Sequence, residues 1–265
     1  MREPFINIAI EAARNAGNII FRAYQRPDTI KVAEKAPNNF VTDVDQRAER
    51  EIINLIRKAY PSHAILGEES GRQAGDDYEW IIDPIDGTRN FLHGYPHFAV
   101  SIALAYKQRV EHAVVYDPLR QELFTASRGK GAQLNERRIR VGARKQLSEA
   151  LLGSGFAYRH SLSDESYGAK ILQGILPICG DIRRSGSVIL DLAYVACGRL
   201  DGFWETSMQP WDLAAGLLLV REAGGMIADP LGGENYQKSG DIVAANPAIL
   251  KQMLRAIKPC LNTQN

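Results

Sequence analysis

The chain reads as an α/β protein whose first half is α+β, and three observations carry that prediction. Apolar residues near the start (Ile6, Ala9, Ala13, Ala16, Ile20, Tyr24) recur at helical spacing. Between Ala99 and Ala126 short β-rich segments alternate with turn residues, the pattern of an antiparallel sheet built from hairpins. After about Ala150 helices and strands alternate, as they do in an α/β layer. The expected division is an α+β half over 1–150 and an α/β half over 151–265, with no repeat, low-complexity segment or flexible linker.

Each element has its own signal. The first helix runs between Glu3 and Tyr24, with Arg14, Asn15 and Arg22 on other faces, and Pro27 ends it. Thr29-Ile30-Lys31-Val32 reads as a short strand, followed by the polar linker Lys35-Ala36-Pro37-Asn38-Asn39. Thr42 or Asp43 caps a second helix to about Ala59, with Val44, Ala48, Ile52, Leu55, Ile56 and Ala59 expected on its buried side. Ala64-Ile65-Leu66 is a short apolar segment ending at Gly67-Glu68-Glu69-Ser70. Trp80-Ile81-Ile82 is a buried strand that empties into Asp83-Pro84-Ile85-Asp86-Gly87-Thr88.

Val100 to Tyr106, Val110 to Tyr116 and Glu122 to Ala126 follow as hairpin strands. Arg128, Lys130, Arg137, Arg138, Arg140, Arg144 and Lys145 make the next hairpin basic; such charges usually guard a sheet edge, and an RNA-contacting surface is the alternative. The second half predicts a strand Leu151 to Ser154, a helical stretch Tyr167 to Leu176, a helix Ser187 to Cys197 and a strand Asp201 to Glu205. A helix Leu213 to Glu222, strands Met226 to Ala228 and Ile242 to Ala245, and a helix Ala248 to Ile257 complete it.

Composition bounds the function. With 265 residues, 45% of them hydrophobic, the chain can bury an ample core. Lys and Arg total 32 against 31 acidic residues, so no global basic field exists to hold a polyanion. Cys179, Cys197 and Cys260 are odd in number and form no CxxC pair, which argues against a disulfide framework or zinc knuckle. No apolar run reaches the roughly 20 residues of a membrane span, and the start carries no basic region followed by an apolar one, so a cytoplasmic setting is expected.

The chemistry concentrates in the turn after Ile82. Asp83 and Asp86 are too close for both to stay ionised in a dry site without a cation between them, which points to a hard metal, magnesium first. If Thr88 opens a helix, the free amides of Gly87 and Thr88 would face a phosphate. Asp86-Gly87 is equally a hairpin turn signal, and Asp45 equally a carboxylate in a helix first turn. Glu68 and Asp212, which follows Trp211 and precedes an apolar helix, add two further carboxylate sites. His93 and His97 read as loop or packing residues, because Pro96 prevents regular helix between them.

Gly67-Glu68-Glu69-Ser70, Asp83-Pro84-Ile85-Asp86-Gly87-Thr88 and Trp211-Asp212, in this order and spacing, resemble the inositol monophosphatase family, in wording closest to its bacterial SuhB-type branch. Supporting segments include Val41-Thr42-Asp43-Val44-Asp45, Val115-Tyr116-Asp117-Pro118, Arg184-Ser185-Gly186-Ser187 and Arg221-Glu222-Ala223-Gly224-Gly225, so the likeness spans nearly the whole chain. It implies a layered αβαβα sandwich, also used by fructose-1,6-bisphosphatases, and a lithium-sensitive, magnesium-dependent phosphatase. Two Mg2+ ions are implied, the first held by Glu68, Asp83 and the carbonyl of Ile85, the second by Asp83, Asp86 and Asp212; Glu69 either supports a third through water or points outward.

The resemblance further implies that Asp45 and Thr88 activate water beside Glu68, and that Gly87 and Thr88 amides hold phosphate. The alcohol would lie against Asp86, Gly186, Ser187, Val188, Glu205 and Asp212, although Ser187 is equally a helix cap. Arg89 departs from the Thr usual in the family at that position. The implied substrate is a small phosphorylated polyol, inositol 1-phosphate ahead of fructose bisphosphate or nucleotide 3′-phosphates. The implied partners are a second copy of the chain and, by likeness to the SuhB-type branch, a transcription elongation factor and RNA in ribosomal RNA antitermination.

Overall fold

A computed structural model describes residues 4–36, 39–155 and 162–262. The expected helix start at Glu3 and the linker residues Pro37 and Asn38 lie outside them. Helix α1 (Pro4–Tyr24) buries the predicted stripe of Ile6, Ala9, Ala13, Ala16 and Ile20. The strand expected at Thr29 to Val32 is displaced: Pro27–Thr29 form a 3-10 turn, whose first φ the proline ring presets. Strand β1 (Val32–Ala36) then pairs antiparallel with β2 (Asn39–Thr42). Much of the expected linker is therefore ladder, because backbone groups can pair across a hairpin whatever their side chains.

Helix α2 (Asp43–Ala59) starts at Thr42, whose hydroxyl accepts from the amides of Val44 and Asp45, while Asp45 accepts from the Thr42 amide. This reciprocal cap closes two otherwise unpaired donors. Strands β3 (Ala64–Gly67), β4 (Gly71–Gln73) and β5 (Tyr78–Asp86) lead through the short helix α3 (Thr88–Leu92) to β6 (Ala99–Tyr106), β7 (Arg109–Asp117) and β8 (Glu122–Ser127). The basic hairpin is β9 (Gly131–Leu134) and β10 (Arg137–Arg138), and β10 forms one sheet edge. The sheet order is β10-β9-β8-β7-β6-β5-β3-β4, antiparallel except between β3 and β5.

The second half contributes β11 (Leu151–Ser154), α4 (Leu162–Ile175), β12 (Asp181–Arg183), α5 (Val188–Ala196), β13 (Gly202–Glu205) and α6 (Pro210–Glu222). It ends with β14 (Met226–Ala228), α7 (Tyr236–Ser239), β15 (Ile242–Ala245) and α8 (Pro247–Asn262). Its sheet runs β12-β11-β13-β15-β14, with the β11 pairings parallel and the β15 pairings antiparallel.

Strand alternation builds five layers. Trp80, Ile82, Val100, Ile102 and Val114 face α1 and α2, whereas Ile81, Ala99, Ala103, Val115 and Phe124 face α5 and α6. In the second sheet Phe203, Ile242 and Ala244 join that same middle layer. Trp204, Val243 and Ala245 turn outward onto Ile171 and Ile175 of α4 and Ile249, Met253 and Ile257 of α8. The result is the αβαβα sandwich. Lying between two sheets, α6 is buried on nearly every side through Leu213, Ala215, Gly216, Leu218, Leu219 and Val220.

Candidate active site

Asp83 and Asp86 stand three apart on β5, so a regular strand would aim them to opposite faces. Opposite them on β6 the partners are Ser101 and Ala99, only two apart, and the register breaks between. That bulge absorbs one residue and brings both carboxylates to one side. Gly87, at φ +95°, then turns the chain into α3; a side chain there would be strained and would meet the carbonyls of His97 and Gly186 at 3.0 and 3.3 Å.

Asp212 arrives from the first turn of α6, where its carboxylate caps the Gln209 amide at 2.8 Å. One oxygen each from Asp83, Asp86 and Asp212 lie within 4.8 Å of one another, and all three residues are buried. Glu68, at the end of β3, hydrogen-bonds the Asp83 carboxyl, and its amide donates to Ile82 at 3.1 Å. Burial, followed by the charges of Glu68, Asp86 and Asp212, pushes Asp83 well above the usual carboxylate range. Burial raises Asp86 to about 7 against the pull of the Ser187 hydroxyl. Asp83 Oδ1 is buried and has no hydrogen-bond partner among the described residues. A set of buried oxygens with one left unpaired and no room for separate charges fits a hard divalent cation.

Asp45 and Thr88 meet beside this set. The Thr88 hydroxyl lies 3.2 Å from Asp45 Oδ1 and 3.0 Å from the Ile85 carbonyl, and its one proton serves one acceptor at a time. Burial raises the Asp45 pKa, although bonds from Thr42 and Thr88 oppose the shift. Asp45 thus serves the helix cap and the site together. Ser187 does likewise: it caps α5 by accepting from the Leu190 amide, and it donates to Asp86, which also accepts from the Ile189 amide at 2.8 Å. Gly186 adjoins the Gly87 turn, and Val188 opens α5.

Glu205 ends β13 and is buried; burial first, then the charge of Asp212, pushes it up to about 8. A Cβ on Gly155 would fall 1.9 Å from this carboxylate, so the residue that follows the parallel neighbour β11 must be glycine for Glu205 to occupy its place. Neither Gly155 nor the network behind Ser187 stands out in the sequence. Asn90 donates to the carbonyls of His97 and Ser185 at 2.7 and 2.9 Å, and Ser185 donates to buried Asp191 at 2.6 Å. His97 packs edge-on to Tyr194, as a packing histidine, with its Nε2 3.8 Å from Asp191. Asn90 lies two residues past Thr88, the one feature of the sequence that connects this cross-brace with the site.

Among the described residues no helix is long and apolar enough to cross a membrane. The Nus factor SuhB of Pseudomonas aeruginosa is 52% identical over 98% of this chain and 97% of its own length. The extragenic suppressor protein SuhB of Bartonella henselae superposes with TM-score 0.93 at 42% identity, over 97% of this chain and 99% of that one. The inositol monophosphatase of an Anabaena species gives TM-score 0.85 at 38% identity, covering 96% and 95%. The profile of the inositol monophosphatase family matches residues 1–261, the stretch that holds every carboxylate of the site, and the chain belongs to that family.

Proposed function

We propose that this chain hydrolyses small phosphate monoesters with magnesium, inositol 1-phosphate foremost. The convergence of Asp83, Asp86 and Asp212 around an unpartnered buried oxygen carries the reading. Glu68, Asp83 and the Ile85 carbonyl would hold one ion, and Asp83, Asp86 and Asp212 a second, with Glu69 near enough in sequence to serve a third. Bound magnesium supplies charge neutralisation for the phosphoryl group, a more acidic water and support for the departing oxygen.

The chain's own groups do the rest. Asp45 accepts the Thr88 proton, which leaves the Thr88 oxygen free to accept from a water and aim it; a buried Asp45 with a raised pKa can take up the relayed proton. Amides of Gly87 and Thr88 face the phosphoryl oxygens. Asp86, Glu205 and the Gly186-Ser187-Val188 turn contact the alcohol, and Glu205, neutral near pH 7, has an O–H to give a polyol oxygen. A panel of inositol 1-phosphate, fructose 1,6-bisphosphate and nucleotide 3′-phosphates, compared by kcat/KM with Mg2+, tests the activity and its alternatives. Absence of turnover on all three would refute it.

A second reading, binding within a transcription antitermination complex, draws support from relatives named Nus factors at 52% identity. A transcription elongation factor and RNA would be its partners, and a homodimer its carrier. Pull-down of transcription machinery with wild type and Asp86→Asn separates the roles: equal capture by both supports an independent binding function, and loss with the variant argues against one.

A further inference from the structure

Helix α2 carries two carboxylates almost wholly out of water, Asp45 and, one turn later, Glu49. Asp45 reaches Thr88; Glu49 reaches the turn that bears Glu68. Its Oε2 accepts from the Glu69 amide at 2.9 Å and its Oε1 from the Ser70 amide at 2.8 Å. A Cβ on Gly67 would lie 2.6 to 2.8 Å from these two oxygens and their carboxyl carbon, so the glycine lets the carboxylate tuck against the backbone. Residues 67–70 are therefore wrapped around one Glu49 side chain.

This wrapping fixes Glu68 from both sides. Its amide is tied to Ile82 on β5, directly before Asp83, while the residues before and after it are seated on Glu49. A carboxylate ligand on a free turn loses rotational and backbone freedom when it binds an ion; one on a clamped turn has lost it beforehand. One rigid helix also carries the clamp and Asp45, so α2 registers the Glu68 turn against Thr88.

We infer that Glu49 is a positioning residue for metal binding, acting through the Gly67 to Ser70 turn on Glu68 without touching ion or substrate. The inference rests on reading Glu68 as a metal ligand. Glu49→Ala and Glu49→Gln are compared with wild type and with Ile52→Ala, a fully buried change on the same helix that damages the core and leaves the clamp. Mg2+ and Mn2+ affinity is measured by calorimetry on the metal-free protein, without substrate. The Mg2+ concentration for half-maximal hydrolysis and the KM at saturating Mg2+ are measured alongside.

Glu49→Ala is expected to weaken metal binding by about tenfold or more, with KM for inositol 1-phosphate at saturating Mg2+ unchanged. Glu49→Gln falls between, because its carboxamide oxygen can accept one amide while its NH2 opposes the other. Ile52→Ala keeps wild-type affinity. Wild-type affinity in Glu49→Ala, or equal weakening in Ile52→Ala, overturns the inference. Should Glu49→Ala fail to fold, a folded Glu49→Gln with wild-type affinity overturns it as well. Wild type that binds metal and hydrolyses no ester refutes the proposed activity alone, since calorimetry still decides Glu49; wild type that binds no metal refutes the inference too.

Discussion

Withdrawing divalent metal and raising the pH should destabilise this protein by an amount set by its site. Burial lifts Asp86 to about 7 and Glu205 to about 8, against 3.8 and 4.5 for free groups. An acid with a raised folded pKa gives stability that is full below its ordinary value and lost as pH rises through the folded one. Between pH 6 and 8 the loss is about 1 kcal/mol from Asp86 and about 2 kcal/mol from Glu205, at about 1.4 kcal/mol per unit of unequal protonation. Asp83, raised for the same reason, adds in the same direction. For a chain of this size, about 3 kcal/mol is a fall of roughly 6–12 °C in Tm.

Thermal unfolding followed by circular dichroism at pH 6, 7 and 8 in EDTA reads this directly. Mg2+ must displace the protons on Asp83 and Asp86, so its stabilisation should be smaller at pH 6 than at pH 8. Asp86→Asn, which removes one titrating group, should flatten the EDTA slope. A Tm in EDTA that is level or rises from pH 6 to 8, or Mg2+ stabilisation equal at both, would show that these carboxylates are not crowded into one dry cavity.

Further outcomes follow from single contacts. Asp86→Asn keeps an oxygen for Ser187 and Ile189 but loses the charge, so steady-state turnover should fall to background with the circular dichroism spectrum unchanged. Thr88→Val removes the hydroxyl shared by Asp45 and Ile85 and should lower kcat by about 10²–10⁴ with little change in KM, measured with inositol 1-phosphate. Gly155→Ala displaces the Glu205 carboxylate; KM for inositol 1-phosphate should rise while that for p-nitrophenyl phosphate, which lacks the polyol, holds. Thr42→Ala breaks the α2 cap and should cost about 1 kcal/mol, read as a lower urea midpoint.

The elements that sequence revealed best are those whose burial is one-sided or complete. The α1 stripe and the hairpin strands β6 to β8 were plain because apolar residues repeat at the period of their structure. Three-residue edge strands such as β4 and β12 carry too few residues to show a period, and the β1-β2 hairpin is held by backbone pairing in a polar stretch. At the site, carboxylates beside a turn were legible singly. Their meeting was legible only through the family likeness, because Asp212 lies on a different layer from Asp83. The bulge between Asp83 and Asp86 has one sign in the residue types, Pro84, which cannot donate to a ladder and within a central strand sits at such an irregularity. Nothing in the residue pattern marks Glu49, since its burial depends on a turn that folds over it from β3.

The shared middle layer has a consequence for anyone who would cut the chain. A fragment stopping at Ala150 would retain β5 to β8 with α1 and α2 behind them, yet Ile81, Ala103, Val115 and Phe124 would lose the α5 and α6 side chains that shelter them. The other fragment would keep α6 with half its circumference facing nothing. Each piece would present an open greasy sheet or helix wall and would be expected to clump in isolation. Co-expression of the two pieces, giving each the cover it lacks, is the arrangement in which either should stay in solution.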